Sequence, residues 1–230
     1  MPSFPSNHLA GQGLADLPYS SLLMDYRSLP RYANSDLTEY RNQLFSTKPE
    51  KSFQAAQVFG TLFHSLLLEG SEPQAIPQAT RKHLYAMRDS VRQNRFASKV
   101  LEAGQVEQVW HWDDPQTDLP CKCQTDIWVA ATELIVDVKT TSAKSYGEFL
   151  DACNEFAYDR QAAFYLDGLP EASRFVLLGV QKKAPYEVFY FEASATRGCI
   201  EGGRKKYQSL LKGIQRSGFV PSSWKAEMAS

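Results

Sequence analysis

The chain has 230 residues, of which 43% are hydrophobic and 22% are charged, and its formal net charge is −1. This length suits one domain with its own core, and the composition excludes disordered, fibrous and collagen-like proteins. The balanced charge excludes a protein that coats nucleic acid with its whole surface, although it allows a single basic channel. No apolar run reaches the ~20 residues that cross a bilayer, and residues 1–7 lack the features of a signal peptide, so we expect no membrane association and a cytoplasmic location.

Sequence patterns predict an arm, one domain and a tail. Residues 1–17 are expected to form a flexible N-terminal arm, residues 18–218 a single domain, and residues 219–230 a C-terminal tail. Apolar periodicity predicts helices over residues 18–27, 37–44, 53–68, 78–100, 146–154, 157–169 and 195–214. Alternating or short apolar runs predict strands over residues 106–112, 121–130, 133–140, 174–180 and 186–191. This order predicts an α/β fold, with a mixed central β-sheet flanked by helices.

The four cysteines are too few for a disulfide scaffold in a chain of this length. Cys121 and Cys123 lie on one face of a predicted strand, so a zinc or iron–sulfur site is one interpretation. No second pair completes such a site, and two small buried residues are the simpler interpretation.

The segment Leu134–Thr141 places two charged residues on a strand that otherwise looks buried. Because alternate residues of a strand share a face, Asp137 and Lys139 point to one side, while Val136 and Val138 point into the core. A buried charge is costly unless it is paired or bound to a metal ion, so these two side chains need a partner or a function.

Asp126 supplies a second carboxylate from the preceding predicted strand. A hairpin centred on residues 131–132 would place Asp126 opposite Asp137, with Cβ atoms ~5 Å apart. Two carboxylates this close repel each other unless a divalent cation lies between them. The pattern is typical of a phosphodiester hydrolase in which carboxylates hold Mg²⁺ and Lys139 stabilises developing charge, and a surface hairpin with a salt bridge is the alternative.

Two predicted helices carry pairs of residues one turn apart. Gly60 and His64 share a face of the helix at 53–68, where glycine permits close approach and histidine can bind a metal. Gln161 and Tyr165 are spaced in the same way and can hydrogen-bond a phosphate or the surroundings of a metal. Each pair also fits an ordinary helix, with a histidine in the core or an amphipathic face.

In chain order these motifs read G-x-x-x-H, E (Glu107), D, D-x-K and Q-x-x-x-Y. This order resembles the PD-(D/E)XK nuclease superfamily and, within it, the RecB/RecE/lambda-exonuclease-like branch, above all the C-terminal domains of RecE (exonuclease VIII) and their phage-type relatives. The resemblance spans residues 18–192 and rests on Phe59–Glu69, Ile135–Thr141 and Tyr158–Gly168. One departure is that Cys123-Gln124 stands where the family usually has a small residue followed by arginine.

The resemblance implies a role for each motif residue. The metal ligands would be His64, Asp126, Asp137, the carbonyl of Val138 and, as a further candidate, Glu107. Lys139 would be the catalytic lysine, with Asp137 and Asp126 beside it, and Gln161 and Tyr165 would line the site. The implied metal is Mg²⁺, with Mn²⁺ as a substitute. An iron–sulfur cluster, as some nucleases of the superfamily carry, would need a C-terminal group of cysteines that Cys199 alone does not supply.

The implied activity is that of a Mg²⁺-dependent exonuclease that degrades linear double-stranded DNA from 5′ to 3′, leaving 3′ single-stranded tails for recombination or repair. The resemblance also implies a homo-oligomeric ring, a single-strand annealing protein as partner, and a location in a bacterial or phage-infected cell. An endonuclease of the same fold and a catalytically silent DNA-binding module are the alternatives. The basic residues of the last predicted helix either contact the DNA backbone or form a solvated face; they are Arg204, Lys205, Lys206, Lys212 and Arg216.

Overall fold

The computed structural model describes Tyr26, residues 29–46 and residues 51–227. The predicted arm at 1–17 lies outside these residues, as does nearly all of the predicted helix at 18–27. Residues Arg31–Phe219 form one compact unit, which contains the whole sheet. A short helix in the predicted C-terminal tail belongs to a separate unit.

The described chain forms eight α-helices and five strands. The helices are α1 (Asn34–Leu44), α2 (Lys51–Leu68), α3 (Gln78–Gln93), α4 (Arg95–Ala103), α5 (Tyr146–Glu155), α6 (Tyr158–Gly168), α7 (Cys199–Ser217) and α8 (Ser222–Glu227). The strands are β1 (Gln105–Asp113), β2 (Pro120–Val129), β3 (Leu134–Thr141), β4 (Arg174–Gln181) and β5 (Val188–Glu192). None of the described helices is long and apolar enough to span a membrane.

The five strands form a single sheet in the order β1-β2-β3-β4-β5. Strands β3 and β4 are parallel, and the crossover that parallel strands require is formed by α5 and α6. The other pairs of neighbouring strands are antiparallel. The predicted α/β class with a mixed, helix-flanked sheet is therefore confirmed.

The two faces of β3 are buried by different helices. Val136 and Val138 belong to a large apolar cluster with side chains of α2, α3 and α4. Ile135 is equally buried but lies outside that cluster, as does Asp137, which α6 covers through Gln161. The alternation predicted for this strand is confirmed, and it turns the charged residues away from the main core.

The hairpin between β2 and β3 has the predicted register. Val129 pairs with Leu134 and Ile127 pairs with Val136, across the short 3₁₀ turn Ala130–Thr132. Asp126 and Asp137 are therefore the next residues in the same register.

The single helix predicted over residues 78–100 is wrong, because the chain forms two helices with a break at Asn94. The backbone of Asn94 is extended, and its side chain accepts hydrogen bonds from the amides of Phe96 and Ala97 as the N-cap of α4. Apolar periodicity continues across the break because Val91 and Val100 bury against the same cluster, so periodicity alone does not reveal the cap.

Among the boundaries that differ from the sequence prediction, two have a clear backbone cause. The last strand of the sheet begins at Val188, not at residue 186, because Tyr186 has a positive φ of 59°. Helix α7 begins at Cys199, not at residue 195, because Gly198 precedes it in the left-handed conformation.

Candidate active site

Three carboxylates come from neighbouring positions of the first three strands, and we call these positions the row. Glu107 of β1 lies between two residues that pair with the neighbours of Asp126 on β2, and Asp137 of β3 follows Val136, where the pairing of β3 with β2 ends. Regular pairing is interrupted at this row, where Glu107 has a φ of 55° and the Asp126 side chain accepts a hydrogen bond of 2.6 Å from the backbone amide of Val138. At this position a side chain, rather than the backbone of the neighbouring strand, therefore accepts the hydrogen bond of the β3 amide.

His64 approaches the row from α2. Its Nε2 lies 2.8 Å from the carbonyl oxygen of Val138, and since a carbonyl only accepts hydrogen bonds, Nε2 carries the proton. Its Nδ1 lies 3.6 Å from Oδ1 of Asp126. In the neutral ring this places a nitrogen lone pair opposite a carboxylate oxygen, an arrangement that a cation or an additional proton stabilises.

Asp137 and Lys139 form an ion pair on the face of β3 that points away from the main apolar cluster. The distance from Lys139 Nζ to Asp137 Oδ2 is 2.6 Å, and Gln161 of α6 donates a hydrogen bond of 2.6 Å to Oδ1. The Asp137 side chain is 3% exposed, whereas that of Lys139 is 22% exposed, so the lysine side chain is partly accessible beside a buried carboxylate.

The surroundings shift the pKa values of both partners upward. Burial raises the pKa of Asp137 to about 6, with a contribution from Asp126, against the opposing effect of the Lys139 charge. Burial lowers the pKa of Lys139, but the Asp137 carboxylate outweighs it and leaves that pKa above its ordinary value. Lys139 is therefore a fixed ammonium group at neutral pH.

Tyr158 is a neighbour of the site that the sequence analysis missed. Lys139 Nζ lies 5.1 Å from the centre of the Tyr158 ring, within the range of a cation–π contact. Burial raises the pKa of the Tyr158 phenol, so the ring faces Lys139 in its neutral form. The signal was present in the sequence, because Tyr158 precedes Gln161 by three residues and so shares its face of α6.

Two further motif residues, Tyr165 and Gly60, have described contacts with other parts of the fold. The ring of Tyr165 packs edge-on against Phe175, at a centroid distance of 6.0 Å. A Cβ atom on Gly60 would meet the hydroxyl of Thr140 at 3.7 Å, an ordinary contact, so packing within the described chain does not require glycine there.

The Cys121–Cys123 pair and two of the basic side chains of α7 have structural positions within the fold. Cys121 and Cys123 are fully buried free thiols, which supports the simpler interpretation of this pair. Arg204 of α7 forms an ion pair with Asp167, and Lys206 forms one with Asp159, so both basic side chains are already neutralised by α6.

The donor set of the row fits a hard divalent cation. A ring nitrogen of His64 and one carboxylate oxygen from each of Glu107 and Asp126 lie within 4.8 Å of one another. Carboxylate oxygens suit Mg²⁺ and Mn²⁺, and the imidazole nitrogen is the one ligand of the set that transition-metal ions prefer. Asp137 is not part of this group of three, and its buried Oδ2 contacts Lys139.

Comparisons with known proteins agree with this fold. The family model described as a PDDEXK-like domain of unknown function (DUF3799) matches residues 37–217. A solved structure from Eubacterium rectale, named "Putative exonuclease", is similar with a TM-score of 0.61 at 17% identity, over 92% of this chain and 90% of that one. A phage-related exonuclease from Haemophilus somnus 129PT aligns with a TM-score of 0.42 at 12% identity, over 70% and 81% of the two chains. Among curated proteins, no sequence matches.

Proposed function

Because the chain belongs to the family of PDDEXK-like domains of unknown function, we propose that it is a Mg²⁺-dependent deoxyribonuclease, and specifically an exonuclease that acts on linear double-stranded DNA. The observation that carries this proposal is the Asp137–Lys139 ion pair together with the group formed by Glu107, Asp126 and His64. A salt bridge that served stability alone would not need two further carboxylates and a histidine at the same point of the sheet.

In this proposal the metal is held by the residues of the row. Its ligands are drawn from His64, Glu107, Asp126, Asp137 and the carbonyl of Val138. When bound, Mg²⁺ supplies Lewis-acid polarisation of the phosphate and lowers the pKa of a water.

The remaining side chains position the substrate and compensate charge. Lys139, as a fixed ammonium group at the surface of the site, stabilises negative charge that develops on the phosphate. Gln161 fixes the orientation of the Asp137 carboxylate by donating to Oδ1, and Tyr165 lines the site one turn further along α6. The buried position of Asp137 strengthens these interactions, since they act at low effective dielectric.

The finer parts of the proposal follow from the resemblance to RecE-like exonucleases alone, and the E. rectale protein of similar fold carries the name of an exonuclease and no more. They are digestion from 5′ to 3′, production of 3′ single-stranded tails, a ring of identical subunits and cooperation with a single-strand annealing protein. The nuclease domain in this view spans residues 18–218 and acts in the cytoplasm during recombination or repair.

The test is digestion of end-labelled linear duplex DNA in parallel with covalently closed circular DNA, each with Mg²⁺ or with a chelator. The proposal predicts that only the linear DNA is lost, that Mg²⁺ is required, and that label at the 3′ end survives longer than label at the 5′ end. Cleavage of the circle would replace the exonuclease with an endonuclease. Binding without cleavage of either DNA would replace it with a DNA-binding module.

A further inference from the structure

A recess that combines aromatic and basic side chains lies at one edge of the sheet. It is lined by Asn94, Arg95, Phe96, Lys99 and Tyr190, and it is an open depression of about 440 Å³. We call it the edge recess. Four of its residues come from the first turns of α4 and its cap, and the fifth comes from β5, which is an edge strand of the sheet.

The aromatic side chains of the edge recess are held in place but remain accessible. Tyr190 is 57% exposed, and its ring lies 5.5 Å from that of Phe96 at an angle of 34°. Phe96 packs against the main apolar cluster, and the Asn94 side chain fixes its backbone amide. An exposed ring that rests on a partly buried aromatic side chain presents a flat surface at little cost in conformational entropy.

The charged side chains of the edge recess are all cationic. Arg95 and Lys99 are exposed and stand one turn apart on α4, and no carboxylate lines the recess. The acidic residue of β5 nearest in sequence, Glu192, is engaged by Arg174 in a two-point ion pair. The recess therefore attracts anions in a chain whose overall charge is slightly negative.

We propose that the edge recess binds single-stranded nucleic acid. An unpaired base stacks on the ring of Tyr190, and Arg95 and Lys99 contact the phosphates on either side of it. Stacking platforms next to basic side chains are how proteins hold single strands without reading their sequence. A duplex offers no free base face to such a ring, except at its ends, so the occupant is a single strand.

The edge recess and the Asp137–Lys139 pair lie on opposite faces of the sheet. Tyr190 pairs with Leu178 of β4, which pairs with Val138 of β3, so these three side chains share the face that carries the main apolar cluster. Asp137 and Lys139 alternate with Val138 and point to the other face of β3. The edge recess is therefore a binding surface of its own, and the binding does not depend on the nuclease activity proposed above.

The test measures binding of a short fluorescein-labelled oligothymidylate by anisotropy, in chelator, at salt concentrations from about 50 to 200 mM. Tyr190→Ala should weaken binding about tenfold at every salt concentration, because it removes stacking but no charge. The double variant Arg95→Gln, Lys99→Gln should lower the slope of log affinity against log salt by about 1.4, because two phosphate contacts are lost. Tyr190→Phe should bind as the unmodified protein does.

Matched controls lie elsewhere on the same molecule. Tyr146 is 46% exposed and its ring packs against Phe189, so Tyr146→Ala removes a comparable ring and should leave binding unchanged. Unchanged affinity and unchanged salt slope in the edge-recess variants would overturn the proposal. A change of oligomeric state in Tyr190→Ala, seen by sedimentation, with no change in binding would also overturn it and assign the recess to contact between copies of the chain. Since no cleavage is measured, loss of the proposed nuclease function would not affect either result.

Discussion

Lys139 is the residue on which the proposed chemistry depends most, and two neighbours fix its state. Asp137 holds it at 2.6 Å, and the ring of Tyr158 covers it from α6. Because the carboxylate keeps its pKa above the ordinary value, Lys139 acts as a positive charge and not as a proton acceptor. The spacing of Asp137 and Lys139 was readable from the sequence, whereas the contact with Tyr158 required the packing of α6 on β3.

Substitution of Tyr158 tests whether the aromatic ring positions Lys139. Tyr158→Leu should lower kcat of DNA cleavage about tenfold with KM nearly unchanged, since a partly desolvated cation–π contact contributes ~1–2 kcal/mol. Tyr158→Phe retains the ring and should keep most of the activity. Full activity of the leucine variant would show that the ring has no part in positioning, and thermal unfolding of both variants controls for damage to the fold.

At the scale of elements, α6 connects the site to the rest of the molecule. Its Arg160 is buried and hydrogen-bonds Asn34 and Thr38 of α1, and burial lowers the pKa of this guanidinium to about 10. On its other side Asp167 accepts hydrogen bonds from Arg204 and Tyr207 of α7. The helix that supplies Gln161 and Tyr158 is thus fixed between two others, which suits a helix that must hold side chains in place.

The contact between α6 and α7 depends on one glycine. A Cβ atom on Gly203 would overlap the backbone carbonyl of Asp159, which cannot move without shifting α6. We expect Gly203→Ala to destabilise the protein by about 1–3 kcal/mol and to reduce DNA cleavage as α6 is displaced.

The neighbouring Gly202 is the matched control. Its added Cβ would lie 3.8 Å from a side-chain oxygen of Asp159, an ordinary distance. Gly202→Ala should leave stability unchanged or raise it slightly, because alanine is the better helix former. Equal unfolding midpoints for the two alanine variants, measured by denaturant titration, would contradict the assigned close approach.

For the whole molecule, the order of helices and strands and the mixed sheet could be predicted from periodicity alone. The hairpin register was also predictable, because the turn at residues 131–132 fixes which residues of β2 and β3 face each other. The break at Asn94 could not be predicted, because α3 and α4 bury one continuous apolar face. The row that joins Glu107 to Asp126 was not derivable either, because β1 is connected to β2 by a longer turn that periodicity does not align.

The central claim is that Lys139 and the carboxylate row form a metal-dependent phosphodiesterase site. The most direct measurement is Mg²⁺-dependent release of nucleotides from linear duplex DNA by the unmodified chain, by Lys139→Met and by Lys183→Met. Lys183 is exposed in the connection between β4 and β5 and serves as a lysine outside the site. We predict release by the unmodified chain and by Lys183→Met, abolished by chelator, and a loss of about 100-fold or more in Lys139→Met. Equal release by all three proteins, or release that persists in chelator, would contradict it.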